Sequence, residues 1–233
     1  MIDYMITKHS LKLDLPTGVF TPTTTTQLLA HHMGDLKGKI VLDLGCGAGP
    51  IAIFAALNGA ERVYAVDIMP EACEATRRNS ILNGVSNRIV VKQGDLFEPL
   101  NGLKFDIIVD DVSGMADEVS RISPWYPETI PTGGKDGTVP TIFMLKESPN
   151  YLNNGGYLLF PVISLSRTEK ILSTALDVYH DKLYLIASKL IPFCEELKAH
   201  LSLLERLRGE GLIDYIQKRS RYFWNLSIYR ADL

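Results

Sequence analysis

Cysteine is scarce in this chain, with three among 233 residues, at Cys46, Cys73 and Cys194. They are scattered, and no two of them form a Cys-x-x-Cys pair. The five histidines are also dispersed, apart from the neighbours His31 and His32, which would point apart on a helix. These patterns argue against a disulfide framework or a zinc site. We therefore expect no bound metal and a reducing, cytoplasmic location.

The sequence also lacks a long apolar run and a strong excess of one charge. No apolar run reaches transmembrane length, and charges among the apolar residues 1–15 make a signal peptide unexpected. The formal net charge is −3, with no basic track for a phosphate backbone. We expect neither a membrane nor a nucleic-acid partner. The hydrophobic content of 46% suits one well-buried domain over residues 1–233.

The most informative stretch is a predicted strand, glycine turn and helix within residues 40–57. Its glycines are spaced Gly45-x-Gly47-x-Gly49, which differs from the G-x-G-x-x-G spacing of dinucleotide sites. Glycines at such a turn let the backbone approach a ligand closely. Asp43, just before the turn, would repel a pyrophosphate but attract an ammonium group.

Further acids follow the ends of later apolar runs, at Asp67, Asp95 and Asp110. Asp67 lies about twenty residues beyond the glycine turn, the distance at which a carboxylate binds ribose hydroxyls in related sites. A site ringed by carboxylates favours hydroxyls, amines and positive charge. S-adenosylmethionine offers all three, as a ribose diol, an α-amino group and a sulfonium.

This combination resembles the class I S-adenosylmethionine-dependent methyltransferases over roughly residues 19–161. The resemblance implies S-adenosyl-L-methionine as the cofactor and S-adenosyl-L-homocysteine as the product. It also implies that Asp95 and Leu96 contact the adenine, while Asp43 and the glycine turn hold the methionine part. The full set of expected cofactor-binding residues is Asp43, Gly45, Cys46, Gly47, Gly49, Asp67, Ile68, Asp95, Leu96 and Asp110.

Strand and helix segments alternate along the chain, which predicts an α/β fold with a mostly parallel sheet and helices on both faces. The resemblance implies a Rossmann-like sheet of seven strands whose last strand is antiparallel. Residues 1–35 are expected either to pack on the sheet edge or to form a lid over the cofactor pocket. Residues 193–221 are predicted to be a helical insertion between the last two strands. This insertion would pack on the sheet, form a homodimer contact or cover the substrate.

The predicted fourth strand ends in Asp110-Asp111-Val112-Ser113-Gly114, at the edge where ligands bind in such sheets. Flanking segments, such as Val19-Phe20-Thr21-Pro22, resemble those of the release-factor glutamine methyltransferases. The Asn-Pro-Pro-Tyr motif of that group is replaced here, with Asp111 at the asparagine position. A carboxylate pair suits an amine or hydroxyl nucleophile, which it can orient and deprotonate, although either aspartate could instead cap a turn.

The expected acceptor site combines acids with an aromatic pocket. The predicted catalytic residues are Asp111, Asp110 and Ser113, and the predicted pocket residues are Phe20, Trp125 and Tyr126. We expect methyl transfer to an amine or hydroxyl of a small molecule, because the Asn-Pro-Pro motif and a basic patch are absent. One alternative is a protein methyltransferase acting on the translation machinery, which the flanking segments favour. Another is non-methyl chemistry on S-adenosylmethionine, such as cyclisation that releases methylthioadenosine.

Overall fold

The computed structural model describes residues 1–112, 114–126 and 130–233, and these contain ten β-strands and eight α-helices. The strands are β1 (Ile2–Ile6), β2 (His9–Leu13), β3 (Ile40–Leu44), β4 (Arg62–Asp67), β5 (Ile89–Gln93), β6 (Phe105–Asp110), β7 (Leu152–Ile163), β8 (Leu183–Pro192), β9 (Ile216–Lys218) and β10 (Arg221–Asp232). The helices are α1 (Thr24–His31), α2 (Pro50–Leu57), α3 (Pro70–Leu82), α4 (Asp117–Ile122), α5 (Val139–Glu147), α6 (Thr168–Tyr179), α7 (Glu195–Ala199) and α8 (Leu201–Gly209). Of the described helices, none is long and apolar enough to cross a membrane.

The main sheet has the order β5-β4-β3-β6-β7-β10-β8, with the short strand β9 paired to β10. Strands β3 to β7 run parallel to one another, whereas β10 is antiparallel to both β7 and β8. The predicted mostly parallel sheet with an antiparallel last strand is therefore confirmed, and β9 adds an eighth strand to the predicted seven.

The order of the strands reverses between β3 and β6. The chain runs outward from β3 through β4 to β5, then returns to the other side of β3 at β6. Leu44 at the end of β3 pairs with Asp110 at the end of β6. In open α/β sheets the crevice at this reversal is the usual ligand site, so the fold brings the predicted acids to one edge.

Helices cover both faces of the sheet, as predicted. On β6, Ile107 and Val109 pack in one apolar cluster with α2 and α8, and Ile108 between them packs in a second cluster with α5 and α6. The central strands are buried on both sides because successive side chains point to opposite faces. This burial makes the centre of the sheet a rigid support for its ligand edge.

Local signals account for the first two helices after β3. Pro50 and Pro70 stand at the first positions of α2 and α3, where the missing proline N–H leaves no hydrogen bond unmade. Helix α3 ends at Leu82 and is capped by Asn83. Gly84 follows with a φ of 69°, a conformation that glycine adopts most easily. Helix α2 lies within the stretch of residues 40–57 predicted to hold a strand, a glycine turn and a helix.

Residues 1–35 contain a β1–β2 hairpin, which forms a separate two-stranded sheet, and helix α1. The hairpin packs into the molecule through Ile6, Leu11 and Leu13, each fully buried. Helix α1 begins with a capping box in which the side chains of Thr23 and Thr26 each accept a backbone N–H. The segment is therefore anchored to the core at both its hairpin and its helix.

The predicted insertion at 193–221 contains helices α7 and α8 and then strand β9. Its leucine stripe is packed, because Leu197, Leu204 and Leu207 are all buried in the core cluster on one face of the sheet. These contacts support the packing interpretation of the insertion.

Candidate active site

The glycine turn between β3 and α2 packs against the chain just beyond the end of the neighbouring strand β6. Gly45 has a φ of 71°, and a Cβ atom there would lie 2.8 Å from Cγ2 of Val112, just beyond β6. Gly49 has a φ of 84° and precedes the first residue of α2. A side chain at Gly45 would meet both a forbidden backbone conformation and a neighbouring chain. The turn thus requires glycine there for steric reasons.

Asp43 lies behind this turn. Its carboxylate is 1% exposed, and Oδ2 accepts a hydrogen bond from the N–H of Ala52 at 3.0 Å. Oδ1 has no hydrogen-bond partner among the described residues. Burial raises the pKa of Asp43 well above its ordinary range, and the charge of Asp111 raises this pKa further. Asp43 therefore braces the start of α2 through its hydrogen bond with the Ala52 N–H.

Asp67, at the end of β4, joins the turn to the start of α3. Its Oδ2 atom accepts from the N–H of Gly47 at 2.9 Å, and Oδ1 accepts from the N–H of Met69 at 2.9 Å. Burial raises the pKa of Asp67, and these backbone hydrogen bonds oppose that rise. Each oxygen keeps a further lone pair, which a ribose hydroxyl can use.

The first cavity lies over this edge of the sheet and has a volume of about 400 Å³. The sequence-predicted residues that line it are Phe20, Gly45, Cys46, Gly47, Asp67, Ile68, Asp95, Leu96 and Asp111. Among its described lining residues there are three aspartates and no lysine, arginine or histidine. Such a lining repels phosphate and suits a ligand with cationic groups and hydroxyls. Its residues therefore fit S-adenosylmethionine in both charge and volume.

Leu96 in this cavity has an unusual backbone. Its φ is 45°, in the left-handed region that leucine rarely adopts. Such conformations persist where the surroundings enforce them, often at ligand sites. Here the conformation keeps Leu96 on the cavity wall, while the neighbouring Asp95 is exposed at the rim.

The second cavity has a volume of about 130 Å³ and adjoins the first. Phe20, Asp111 and Val112 line both cavities. Aliphatic residues form part of the other walls of the second cavity. Its aromatic and hydroxyl lining residues are Trp125, Tyr126, Trp224, Thr23, Thr24, Thr25, Thr141 and Ser166. Phe20 packs edge-on against Tyr126 at 5.7 Å, and Trp125 packs edge-on against Trp224 at 6.1 Å between ring centroids.

Asp111 lies where the two cavities meet, and Asp110 lies beneath it. The hydroxyl of Thr26 donates to Oδ2 of Asp111 at 2.8 Å. Burial raises the pKa of Asp111 to about 7, and the Thr26 hydrogen bond opposes this rise. Asp110 is fully buried and accepts a hydrogen bond from the N–H of Val112 at 3.0 Å. Burial raises its pKa to about 8, and the charge of Asp111 adds to this.

The predicted site residues thus separate into three groups. The first group lines the first cavity and consists of Phe20, Gly45, Cys46, Gly47, Asp67, Ile68, Asp95, Leu96 and Asp111. The second group, Trp125 and Tyr126, lines only the second cavity. Asp43, Gly49 and Asp110 are not among the described lining residues of either cavity and shape the edge from behind. Ser113 lies outside the described residues. No group of His, Cys, Asp or Glu among the described residues has the arrangement of a metal site.

The sequence analysis missed several cavity residues, among them Thr26 and Trp224. The threonine run at 23–26 indicates a helix start, but which hydroxyl reaches Asp111 depends on how α1 is rotated. Trp224 lies within strand β10 and is only 7% exposed. Nothing in its sequence context separates it from an ordinary core residue.

The sequence matches the family described as ribosomal protein L11 methyltransferase (PrmA) over residues 16–137. It is also 34% identical to a Methanocaldococcus jannaschii protein that is named provisionally as a protein N5-glutamine methyltransferase. That match covers 81% of this chain and 93% of the relative. The ribosomal protein L11 methyltransferase of Acinetobacter baylyi is 36% identical over 43% of this chain, but the match spans only 34% of that relative's length.

The fold has solved counterparts. The crystal structure of a ribosomal protein L11 methylase from Lactobacillus delbrueckii subsp. bulgaricus superposes with a TM-score of 0.59 and 21% identity. The superposition covers 97% of this chain and 90% of the other. At this level of identity the match supports the fold.

These comparisons correct one prediction. The expected acceptor, a small molecule with no macromolecular partner, is wrong, because both of these relatives carry the names of methyltransferases of proteins. The sequence analysis gave too much weight to the lost Asn-Pro-Pro motif and the missing basic patch. A protein acceptor needs no basic patch, so the lack of one does not favour a small molecule.

Proposed function

The chain belongs to the S-adenosylmethionine-dependent methyltransferases of the ribosomal protein L11 methyltransferase family, and from this premise we propose that it methylates a nitrogen atom of a protein side chain. The observation that carries the proposal is the position of Asp111, which lines both cavities. A cofactor in the first cavity and a side chain in the second would meet beside this carboxylate.

The first cavity is proposed to hold S-adenosylmethionine. Asp67 would bind the ribose hydroxyls, Asp95 and Leu96 the adenine, and the Gly45–Gly49 turn the methionine part. When bound, this cofactor supplies a methyl group already activated by a positively charged sulfur. The protein then needs mainly to align the acceptor with the methyl group and to exclude water.

The second cavity is proposed to hold the acceptor side chain. Its volume of about 130 Å³ is well below the range of roughly 300–1,000 Å³ found for small-molecule sites. One amino-acid side chain fits such a space better than a whole metabolite. The aromatic walls can pack on the carbon chain of the acceptor and can also stabilise a cationic nitrogen.

Asp111 is proposed to act on the acceptor nitrogen. An ionised carboxylate only accepts hydrogen bonds, and with a pKa of about 7 Asp111 exchanges its proton near neutral pH. A lysine ammonium must lose a proton before its lone pair can attack the methyl group, and Asp111 can take it. A lysine amine is thus the acceptor that this carboxylate suits best.

A glutamine amide is the second candidate, because the Methanocaldococcus jannaschii relative, which matches 81% of this chain, is named for it. An amide offers N–H donors to Asp111, but the carboxylate cannot donate in return to the amide oxygen. The substitution Asp111→Asn therefore separates the two acceptors. It should abolish transfer to an amine and preserve or improve transfer to an amide.

The N-terminal segment is proposed to act as a lid as well as a packing element. Gly18, Phe20 and Thr26 from this segment line the first cavity, and Phe20 also lines the second. The segment thus supplies one wall where the two reactants would meet. This placement supports the lid interpretation for residues 18–26.

The test is incubation of the purified protein with methyl-labelled S-adenosylmethionine and fractions of ribosomal proteins and translation factors. We expect label on a single protein, mapped to one side chain by mass spectrometry, together with S-adenosylhomocysteine. Asp177→Asn, on the exposed face of α6, is the control for Asp111→Asn. Methylthioadenosine formed without any acceptor would instead support the non-methyl chemistry. Cofactor turnover that labels only metabolites would contradict the proposal.

A further inference from the structure

We propose that Thr26 is a positioning residue for Asp111, so that helix α1 belongs to the catalytic machinery and does more than cover the site. The inference rests on the proposed function, in which Asp111 meets the acceptor nitrogen. It assigns to the N-terminal segment the role of donating a side-chain hydrogen bond to Asp111, which neither the glycine turn nor the strand-end acids can do. The argument comes from the hydrogen bonds of a single hydroxyl group.

The hydroxyl group of Thr26 makes two hydrogen bonds, one as an acceptor and one as a donor. Its oxygen accepts the backbone N–H of Thr23 at 3.2 Å, and the hydroxyl lies 2.8 Å from Oδ2 of Asp111. Thr26 is 2% exposed, which leaves little room for water to compete. Because the Thr23 N–H already occupies a lone pair, the single hydroxyl proton is free to point at the carboxylate.

This hydrogen bond connects segments that are 85 residues apart in the chain. Thr26 is held by the capping box at the start of α1, and Asp111 directly follows β6. The hydrogen bond to Oδ2 therefore fixes the orientation of the Asp111 carboxylate. Oδ1 has no hydrogen bond from the described residues, and it remains available to an acceptor nitrogen.

The same hydrogen bond also favours the charged form of Asp111. The ionisable groups around this carboxylate are the acids Asp110 and Asp43 and the phenols Tyr4 and Tyr126. Neither the two acids nor the two phenols can supply positive charge to Asp111. The Thr26 hydroxyl is the one side-chain donor to Asp111 among the described residues. Loss of this donor should therefore raise the pKa of Asp111.

The first experiment measures the carboxyl group itself, without any acceptor. The protein labelled with ¹³C-aspartate is titrated by NMR, and the Asp111 signal is assigned by its loss in Asp111→Asn. We expect Thr26→Val to raise the Asp111 pKa by about one pH unit. Thr26→Ser, which keeps the hydroxyl, should leave it at the wild-type value. Thr174→Val, which removes a threonine hydroxyl from α6, should not move the Asp111 pKa.

The second experiment follows methyl transfer against pH with the labelled acceptor. We expect Thr26→Val to lower kcat about tenfold at neutral pH and to move the acidic limb of the profile to higher pH. Thr26→Ser should restore both. Because Thr26 also lines the first cavity, the affinity for S-adenosylmethionine is measured separately by calorimetry. If Thr26 had only a structural role, Thr26→Val would reduce this affinity without moving the pH profile of methyl transfer.

The outcomes separate this inference from the proposed function. An unchanged Asp111 pKa in Thr26→Val, or equal effects of the valine and serine variants, would overturn the role of Thr26. If Thr26→Val does not fold, Thr26→Ala provides the same comparison with serine. A raised pKa in a protein that methylates no protein acceptor would remove the proposed function and leave the Thr26–Asp111 coupling intact.

Discussion

Oδ2 of Asp67 accepts the backbone N–H of Gly47 across 2.9 Å and so ties the end of β4 to the middle of the glycine turn. The two residues are twenty positions apart in sequence, and both line the first cavity. The acid at the end of β4 therefore shapes the turn as well as facing the ligand. Two sequence features that are predicted separately form one structural unit.

Substitution of Asp67 by alanine should weaken S-adenosylmethionine binding about tenfold or more, because it removes a ribose acceptor and releases the N–H groups of Gly47 and Met69. Calorimetric titration measures this directly. Glu71→Ala, an exposed acid in the first turn of α3, is the control. Equal affinity in the Asp67 and Glu71 variants would show that Asp67 is not a cofactor ligand.

Gly45→Ala should destabilise the protein more than Gly84→Ala. Both glycines have φ near 70°, but a Cβ on Gly84 meets nothing within 4 Å, whereas a Cβ on Gly45 lies 2.8 Å from Val112. Gly84→Ala should thus show the backbone strain alone, about 1 kcal/mol. Urea unfolding compares the two.

Cofactor binding adds a second comparison for the same pair. Gly45→Ala should lose affinity for S-adenosylmethionine because the clash pushes the turn and the β6 end apart, and Gly84→Ala should retain it. If the two variants unfold at the same urea concentration, the close approach of Gly45 to Val112 does not affect the free energy of unfolding.

Asp110→Asn should stabilise the protein without ligand at alkaline pH. The pKa of Asp110 is raised to about 8 in the folded state from about 3.9 in an unfolded chain, so the folded protein binds more protons between these values. Stability must fall as the pH rises through that window. The amide keeps the oxygen that accepts the Val112 N–H and removes the buried charge.

We expect the gain from Asp110→Asn to be on the order of 2 kcal/mol at pH 8 and to vanish towards pH 4. Chemical unfolding at several pH values measures it, with Asp177→Asn as the exposed control. A variant with the same dependence on pH as the wild type would mean that Asp110 does not keep its proton in the folded state.

Trp125→Ala should raise the KM for the protein acceptor severalfold, because Trp125 lines only the second cavity and packs against Trp224. The affinity for S-adenosylmethionine should stay at the wild-type value, and Trp125→Phe should have a smaller effect on KM. Steady-state kinetics and calorimetry provide the two readouts. A parallel loss of both affinities would place Trp125 in the cofactor site instead.

Local sequence signals predicted the centre of the fold well. Glycine spacing, a proline at the start of α2 and α3, and apolar strands ending in acids depend on backbone rules that act over a few residues. The β1–β2 hairpin was not predicted, because its stability comes from burial of Ile6, Leu11 and Leu13 against distant parts of the chain. Helix α4 was missed for a similar reason, since it is six residues long and has no side-chain cap.

The sequence by itself indicated the cofactor, through the glycine turn and the acids at strand ends, and a mostly parallel sheet, through the alternation of strands and helices. Only the tertiary structure decided which acids reach a cavity. Asp43 and Asp110 lie at strand ends like Asp67, yet pairing of β3 with β6 buries them while leaving Asp111 where two cavities meet. The tertiary structure also places Thr26 in contact with Asp111, which is 85 residues away in sequence. Such contacts depend on the rotation and packing of whole elements, which no local pattern encodes.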